Sequence, residues 1–190
     1  MPVLELLAQH HPQLFGARFL PLKTGIFHDL MAAHPGLFSR TALRAALGFH
    51  TRSTRYLSAL AQGLDRHDLN GNPVEPVASE HVVHAAIELY RRRAKHNAAE
   101  AAARLRTQLT RLMTQRGLTR YALDALLPPT VEPELLALVD EAGAELAAQR
   151  ARQAALARAY ASSGQSVEAF ALAVGVSVAE VRAAIKLAAH

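Results

Sequence analysis

Between positions 40 and 66 the sequence gathers side chains that bind anions. Arg40 and Arg44 stand four residues apart, so a helix would place both on one face. The next position on that strip is Gly48, where the strip ends. Arg52 and Tyr56 are again four apart, with Arg55 beside them, and Arg66 opens the segment that follows. Guanidinium forks match phosphate oxygens and stack on bases. A tyrosine among them can stack an unpaired base. Thr51, Ser53 and Thr54 add hydroxyls where a helix should start, and free N–H groups at such a start attract anions. Each residue alone reads equally well as a solvated arginine or an ordinary cap. As a constellation they point to the backbone of a nucleic acid.

The charge distribution agrees. The chain carries 18 Arg but only 3 Lys, with a net charge of +5. Residues 18–66 hold seven basic and two acidic groups; residues 91–120 hold nine basic and one acidic. The segment between them, 67–90, carries −4, and residues 121–190 carry −3. Clustered positive charge favours a polyanion partner. In the second block Arg91, Arg92, Arg93 and Lys95 wrap around a helix, so not all of them can face one ligand.

Catalytic chemistry finds little support. With no cysteine there is no thiol nucleophile, disulfide or thiolate-held zinc. Ten histidines include His10-His11 and the pair His81 and His84, but no third ligand completes a metal spacing. There is no nucleophile elbow, phosphate-binding loop or dinucleotide turn. The reading is a non-enzyme without metal or cofactor. No apolar run reaches the ~18 residues a membrane span needs. The opening MPVLELLAQHHPQLF lacks the basic start of a signal peptide, so a cytoplasmic location is expected.

The elements that must position these residues are mostly helices. Ala (39) and Leu (29) dominate the 190 residues, and aromatics are 5%, a composition that favours helix over strand. Apolar spacing predicts helices over 2–9, from 25 to His34, from Ser39 to Phe49, and from Arg52 to Ala61, the last capped by Thr51. Residues 12–21 read as a loop punctuated by Pro12, Gly16 and Pro21. Asn70-Gly71 predicts a type I′ turn in a two-stranded ribbon, with Pro73 and Pro76 confining the second strand to an edge. Ser79 is the expected cap of a helix running to Arg116, about 55 Å, with a bend placed near Asn97. Thr119 caps another helix, and residues 132–160, 167–174 and 178–189 complete the set.

Three stretches carry a resemblance. PLKTGIFHDL (21–30), LRAALGFHTRSTRYLSAL (43–60) and RHDLNGNPVEPVASEHVVHA (66–85) are similar, in order and spacing, to the ProQ/FinO family of bacterial RNA-binding proteins over roughly residues 3–95. The resemblance implies a mostly α fold: a compact helical domain with a small β-ribbon. It implies an RNA chaperone that binds stem-loops with a single-stranded 3′ tail and promotes strand exchange and duplexing in post-transcriptional regulation. Its motifs map phosphate binding onto Lys23, Arg40, Arg44 and Arg55, and a 3′-tail pocket onto Tyr56 and Arg66. They make Thr51 the cap of the fourth helix with Ser53 in the same turn, and Arg52 between them is a further candidate RNA contact from its spacing to Tyr56. Gly48 stands where members often have a basic or large polar residue, which implies weaker RNA affinity with the 3′-end preference retained. Asn70 replaces the more usual aspartate of the turn. If about six phosphates are neutralised, log K should fall with log salt at a slope of roughly −4 to −5.

The expected organisation is an RNA-binding domain over 1–96, a basic connecting helix over 97–116 and a helical extension over 117–190. Within the last, SVEAFALAVGVSVAEVRAAI resembles a helix-turn-helix, which makes a DNA-binding transcriptional regulator the alternative function. Its would-be recognition helix offers only Arg182 and Lys186, with Glu180 opposing. The Ala/Leu-rich C-terminal helices are a candidate self-association surface.

Overall fold

The computed structural model describes residues 2–188. Helix dominates, with one two-stranded antiparallel sheet. Contacts divide the chain into residues 1–139 and 140–190.

The first unit opens with α1 (Pro2–His10), α2 (Pro12–Phe15), α3 (Ile26–Ala33), α4 (Arg40–Thr51) and α5 (Thr54–Ala61). One core joins them: Leu7, Leu14, Phe15, Leu22, Ile26, Leu30, Leu43, Leu47 and Tyr56 are all buried. The apolar stripe of α4 (Leu43, Ala46, Leu47, His50) faces that core, which turns Arg40 and Arg44 outward. Ser39 caps α4 as expected, its Oγ accepting the Ala42 N–H at 3.2 Å. Two local readings are corrected. Residues 12–15 are helical rather than loop, because Pro12 occupies the first turn, where its missing N–H costs nothing. Thr51 ends α4 instead of capping the next helix. Its hydroxyl donates back to the Leu47 carbonyl at 2.9 Å, and Ser53 caps α5 by accepting the Tyr56 N–H at 3.1 Å.

The ribbon pairs β1 (Arg66–His67) with β2 (Pro73–Glu75). Its turn differs from the expected type I′. Gly71 has φ +80°, but no non-glycine residue among those described has positive φ. Asp68 organises the turn instead: its Oδ1 accepts the N–H of Asn70 and of Asn72, both at 2.9 Å. On its other side β1 meets the Pro21–Lys23 segment. The His67 N–H donates to the Pro21 carbonyl at 2.7 Å, and the Lys23 N–H to the His67 carbonyl at 2.9 Å. The loop before α3 is thereby fixed to the ribbon.

The expected 79–116 helix is two helices. α6 (Ser79–Ala94) ends at Lys95, and Asn97 caps α7 (Ala98–Arg116) by accepting the Glu100 N–H at 3.1 Å. α7 folds back on α6, so that Arg116 at its far end donates to the Val77 carbonyl at 3.2 Å, just before α6 begins. Burial of Leu105, Leu109 and Met113 drives the hairpin; a straight helix would leave that face in water. Ser79 is the first helical residue, and the cap position falls on Ala78, which makes no side-chain cap. Thr119 caps α8 (Arg120–Asp124) as expected. α9 (Pro133–Ser163) follows, and the boundary between the units falls within it.

In the second unit α10 (Val167–Val174) and α11 (Val178–Ala188) bury Phe170, Ala171 and Val181 with Leu156, Tyr160 and Ile185 packed around them. Gly175 turns the chain at φ +76°, and Ser177 and Glu180 form a reciprocal capping box. Residue 189, the expected end of the last helix, lies outside the described residues. Among the described residues no helix is long and apolar enough to cross a membrane, and no group of three or more metal-ligating side chains is assembled.

Candidate nucleic-acid interface

The sequence between Asp29 and Asp65 contains no acidic residue, and it builds the outer faces of α4 and α5. Arg40, Arg44, Arg52 and Arg55 are all exposed there. Their guanidiniums have no carboxylate partner among the described residues. Aromatic rings hold three of them in place instead. The Cζ atoms of Arg40 and Arg44 lie 5.6 and 5.5 Å from the centre of the Phe27 ring on α3. Arg55 stacks over Phe19, 4.3 Å from its centre, and also donates to the Ala17 carbonyl. Cation–π contact orients a guanidinium without neutralising it, so the charge stays available to a phosphate. The sequence identified the arginines but neither Phe19 nor Phe27. Phe49 was missed as well. It is 54% exposed, next to Gly48 on α4.

A second cluster lies where α3, the ribbon and α6 meet. Tyr56 is only 4% exposed, so its ring cannot serve as a stacking platform. Its hydroxyl oxygen accepts the Leu22 N–H at 3.1 Å, and burial pushes the phenol above its ordinary pKa. Arg66 donates to the Leu22 carbonyl at 2.9 Å and approaches His81 Nδ1 at 3.1 Å. Glu75 Oε1 stands 4.0 Å from Arg66 Nε and accepts the Thr24 N–H at 2.9 Å; that bond holds its carboxyl below the usual range. Lys23 pairs with Asp29 at 2.8 Å, and the same contact raises the ammonium pKa. Leu22 and Thr24 are thus clasped by polar groups of Tyr56, Arg66 and Glu75, 34 to 51 residues away in sequence. Thr24, Glu75 and His81 had no signal in the sequence that joined them to Arg66.

The predicted residues therefore fall into three places. Arg40, Arg44, Arg52 and Arg55 stand exposed along the acid-free α4–α5 segment, and Lys23, Tyr56 and Arg66 share the clasp. Thr51 and Ser53 are committed inside the fold, one to a helix carbonyl and the other to a cap. Thr54 Oγ1 is committed too, accepting from Arg92 at 3.2 Å. The three hydroxyls expected to make an anion site at the start of α5 are spent on local structure.

The arginine run after α5 is dispersed. Arg91 forms a two-pronged pair with Glu132, both contacts at 2.9 Å. Arg92 holds Glu88 at 2.8 Å and the Arg52 carbonyl at 2.9 Å, and Arg93 reaches Ser58 at 3.4 Å. In the second unit Arg182 is paired with Glu168 at 3.0 Å, which leaves Lys186 as the helix's other basic group. Comparison with known families matches residues 1–103 to the ProQ/FINO family.

Proposed function

The chain belongs to the ProQ/FinO family, a family of RNA-binding proteins, and from that premise we propose that it is an RNA chaperone for stem-loops bearing a single-stranded 3′ tail. The observation that carries this reading is the acid-free face of α4 and α5, with four exposed arginines and no carboxylate to quench them. A-form RNA hides its sequence edges in a deep groove and is recognised by backbone and shape. Guanidiniums held on aromatic rings suit that task. The clasp is assigned to the 3′ tail. Lys23 and Arg66 offer cationic groups, the buried Tyr56 hydroxyl shapes the pocket by accepting the Leu22 N–H, and the Glu75 carboxylate can accept from a terminal ribose hydroxyl. Holding two RNAs on one cationic face lowers their mutual repulsion, which is the physical basis for promoting strand exchange and duplexing. A role in small-RNA and mRNA 3′-end regulation follows from that substrate.

The test is a gel-shift titration of the full chain at fixed salt. Three ligands are compared: a terminator-type hairpin with a 3′ uridine tail, the same hairpin with its 3′ end blocked, and DNA duplex of equal length. Preferential binding of the free-ended RNA, weakened by Arg40→Ala and Arg44→Ala, is the expected result. Equal binding of all three ligands would reduce the protein to a general polyanion binder. Annealing of labelled complementary RNAs, with and without protein, tests the chaperone step separately.

A further inference from the structure

Gly48 should interrupt the arginine strip, yet the space above it is filled. A methyl group placed on the Gly48 α-carbon would stand 3.2 Å from Nη1, 3.5 Å from Nη2 and 3.7 Å from Cζ of Arg52. The Arg52 guanidinium therefore lies against Gly48, so close that a side chain longer than alanine at position 48 would compete with it for space. The backbone explains how. Arg52 follows α4 with near-helical angles, φ −88° and ψ −6°, so it stands one turn beyond Gly48 on the same face. Arg92 fixes that end of α4 by donating to the Arg52 carbonyl at 2.9 Å and to Thr54 Oγ1 at 3.2 Å. No acidic residue lies anywhere between positions 30 and 64 to draw the guanidinium elsewhere.

We propose that Gly48 and Arg52 together form the third cationic position of the α4 strip, taking an RNA phosphodiester one helical turn beyond Arg44. Positions 40, 44 and 48 follow each other at about 6 Å along the helix axis. A charge over Gly48 continues that row, whereas a charge at an ordinary position 52 would stand beyond it. The glycine is then a binding determinant through what it leaves out, and the strip is not shortened. This inference rests on reading the α4 arginines as RNA contacts.

A consequence separates it from a structural role for Gly48. A glycine inside a helix weakens it, so a larger apolar residue there should stabilise the fold. The same residue evicts Arg52. Binding and stability must therefore move in opposite directions. The experiment titrates the full chain with the tailed hairpin RNA at several salt concentrations and records thermal midpoints in parallel. Gly48→Leu is expected to raise the midpoint while weakening binding roughly fivefold to tenfold and flattening the salt slope by about one. Arg52→Ala should lose as much. Gly48→Arg combined with Arg52→Ala should regain both affinity and slope, because the charge is returned to the same place. Wild-type binding by Gly48→Leu, wild-type binding by Arg52→Ala, or failure of the double variant to recover overturns the proposal. Arg44→Ala is the control on the underlying reading. If Arg44→Ala weakens binding while the Gly48 and Arg52 variants do not, only the composite position fails. If Arg44→Ala also binds as wild type, the strip itself is not the RNA contact.

Discussion

His50 sits where three aromatic rings meet. Its ring centre lies 4.3 Å from that of Phe19, 4.8 Å from Phe15 and 5.2 Å from Tyr56, and its buried Nε2 has no partner. Burial, with the nearby Arg55 charge, lowers its pKa to about 4. The unfolded chain takes up the proton near pH 6.5, the folded chain only near pH 4, so protons favour unfolding between the two. Stability is complete above pH 6.5 and falls as pH drops through that window, by on the order of 2 kcal/mol. His34 adds to the loss in the same direction: burial, and the His11 and His10 charges, lower its pKa. Urea unfolding at pH 7.5 and pH 4.5 measures the sum. In His50→Phe a ring replaces a ring without the orphaned nitrogen, and the pH dependence should shrink; an unchanged profile would place the titration elsewhere. Tyr56 sets a second case. Truncation to alanine removes a buried aromatic at a cost of about 3–5 kcal/mol, which confuses binding with folding. Tyr56→Phe removes only the acceptor of the Leu22 N–H and should cost about 1–3 kcal/mol. It should also narrow the preference for free over blocked RNA 3′ ends. A preference left at the wild-type ratio would take the hydroxyl out of the 3′ pocket.

Among the elements, the long-period helices were legible in the sequence and the junctions were not. Apolar spacing found α3, α4, α6 and the C-terminal pair because each turns a continuous stripe to a core. The choice between Thr51 and Ser53 as the cap of α5 escaped it, since either hydroxyl faces an N–H three residues on. What decides is that Thr51 satisfies itself on the Leu47 carbonyl. The break at Asn97 was legible as a bend, yet the fold-back depends on which face of α7 finds a partner, a non-local fact. The pairing of Pro21–Lys23 with β1 is non-local too, and with it the whole clasp around Arg66. The arginines of the α4 face were legible from spacing alone, but the rings that orient them were not, because an aromatic at an apolar position looks the same whether it fills a core or carries a cation. The ribbon turn offers a test at this scale. Gly71 holds φ +80°, and a Cβ there would meet Gln13 Cγ at 2.9 Å. Gln13 donates to the Leu69 carbonyl at 2.6 Å, tying α2 to the turn. Gly71→Ala must pay the left-handed strain of about 1–2 kcal/mol and displace Gln13 as well. Its urea midpoint should fall accordingly, whereas Asn70→Ala, whose backbone φ is not positive, should cost less. A reversed order would mean that the turn is held by Asn70 rather than by Asp68 and Gly71.

For the whole chain the decisive quantity is where the charge lies. Residues 140–190 hold five basic and five acidic groups, so the entire net charge of +5 resides in residues 1–139. Within the first unit Arg91 and Arg92 are engaged with Glu132 and Glu88, and Lys23 with Asp29. The four arginines of the α4–α5 face are not. Neutralising about four phosphates gives a salt slope of roughly −3 to −4, shallower than the −4 to −5 expected when every basic residue of the motif is counted as free. A fragment of residues 1–139 should reproduce the slope and affinity of the full chain, because what it lacks is electrically neutral. A fragment ending at residue 96 should not. It lacks α7, whose Leu105, Leu109 and Met113 are buried, and so opens to water the part of α6 that α7 covers. Its thermal midpoint should fall steeply, and it should bind a hydrophobic dye that the 1–139 fragment ignores. A slope that becomes shallower on removing residues 140–190 would mean that Arg182, Lys186 or their neighbours contact RNA despite the Glu168 pairing, and would return the C-terminal helices to the interface.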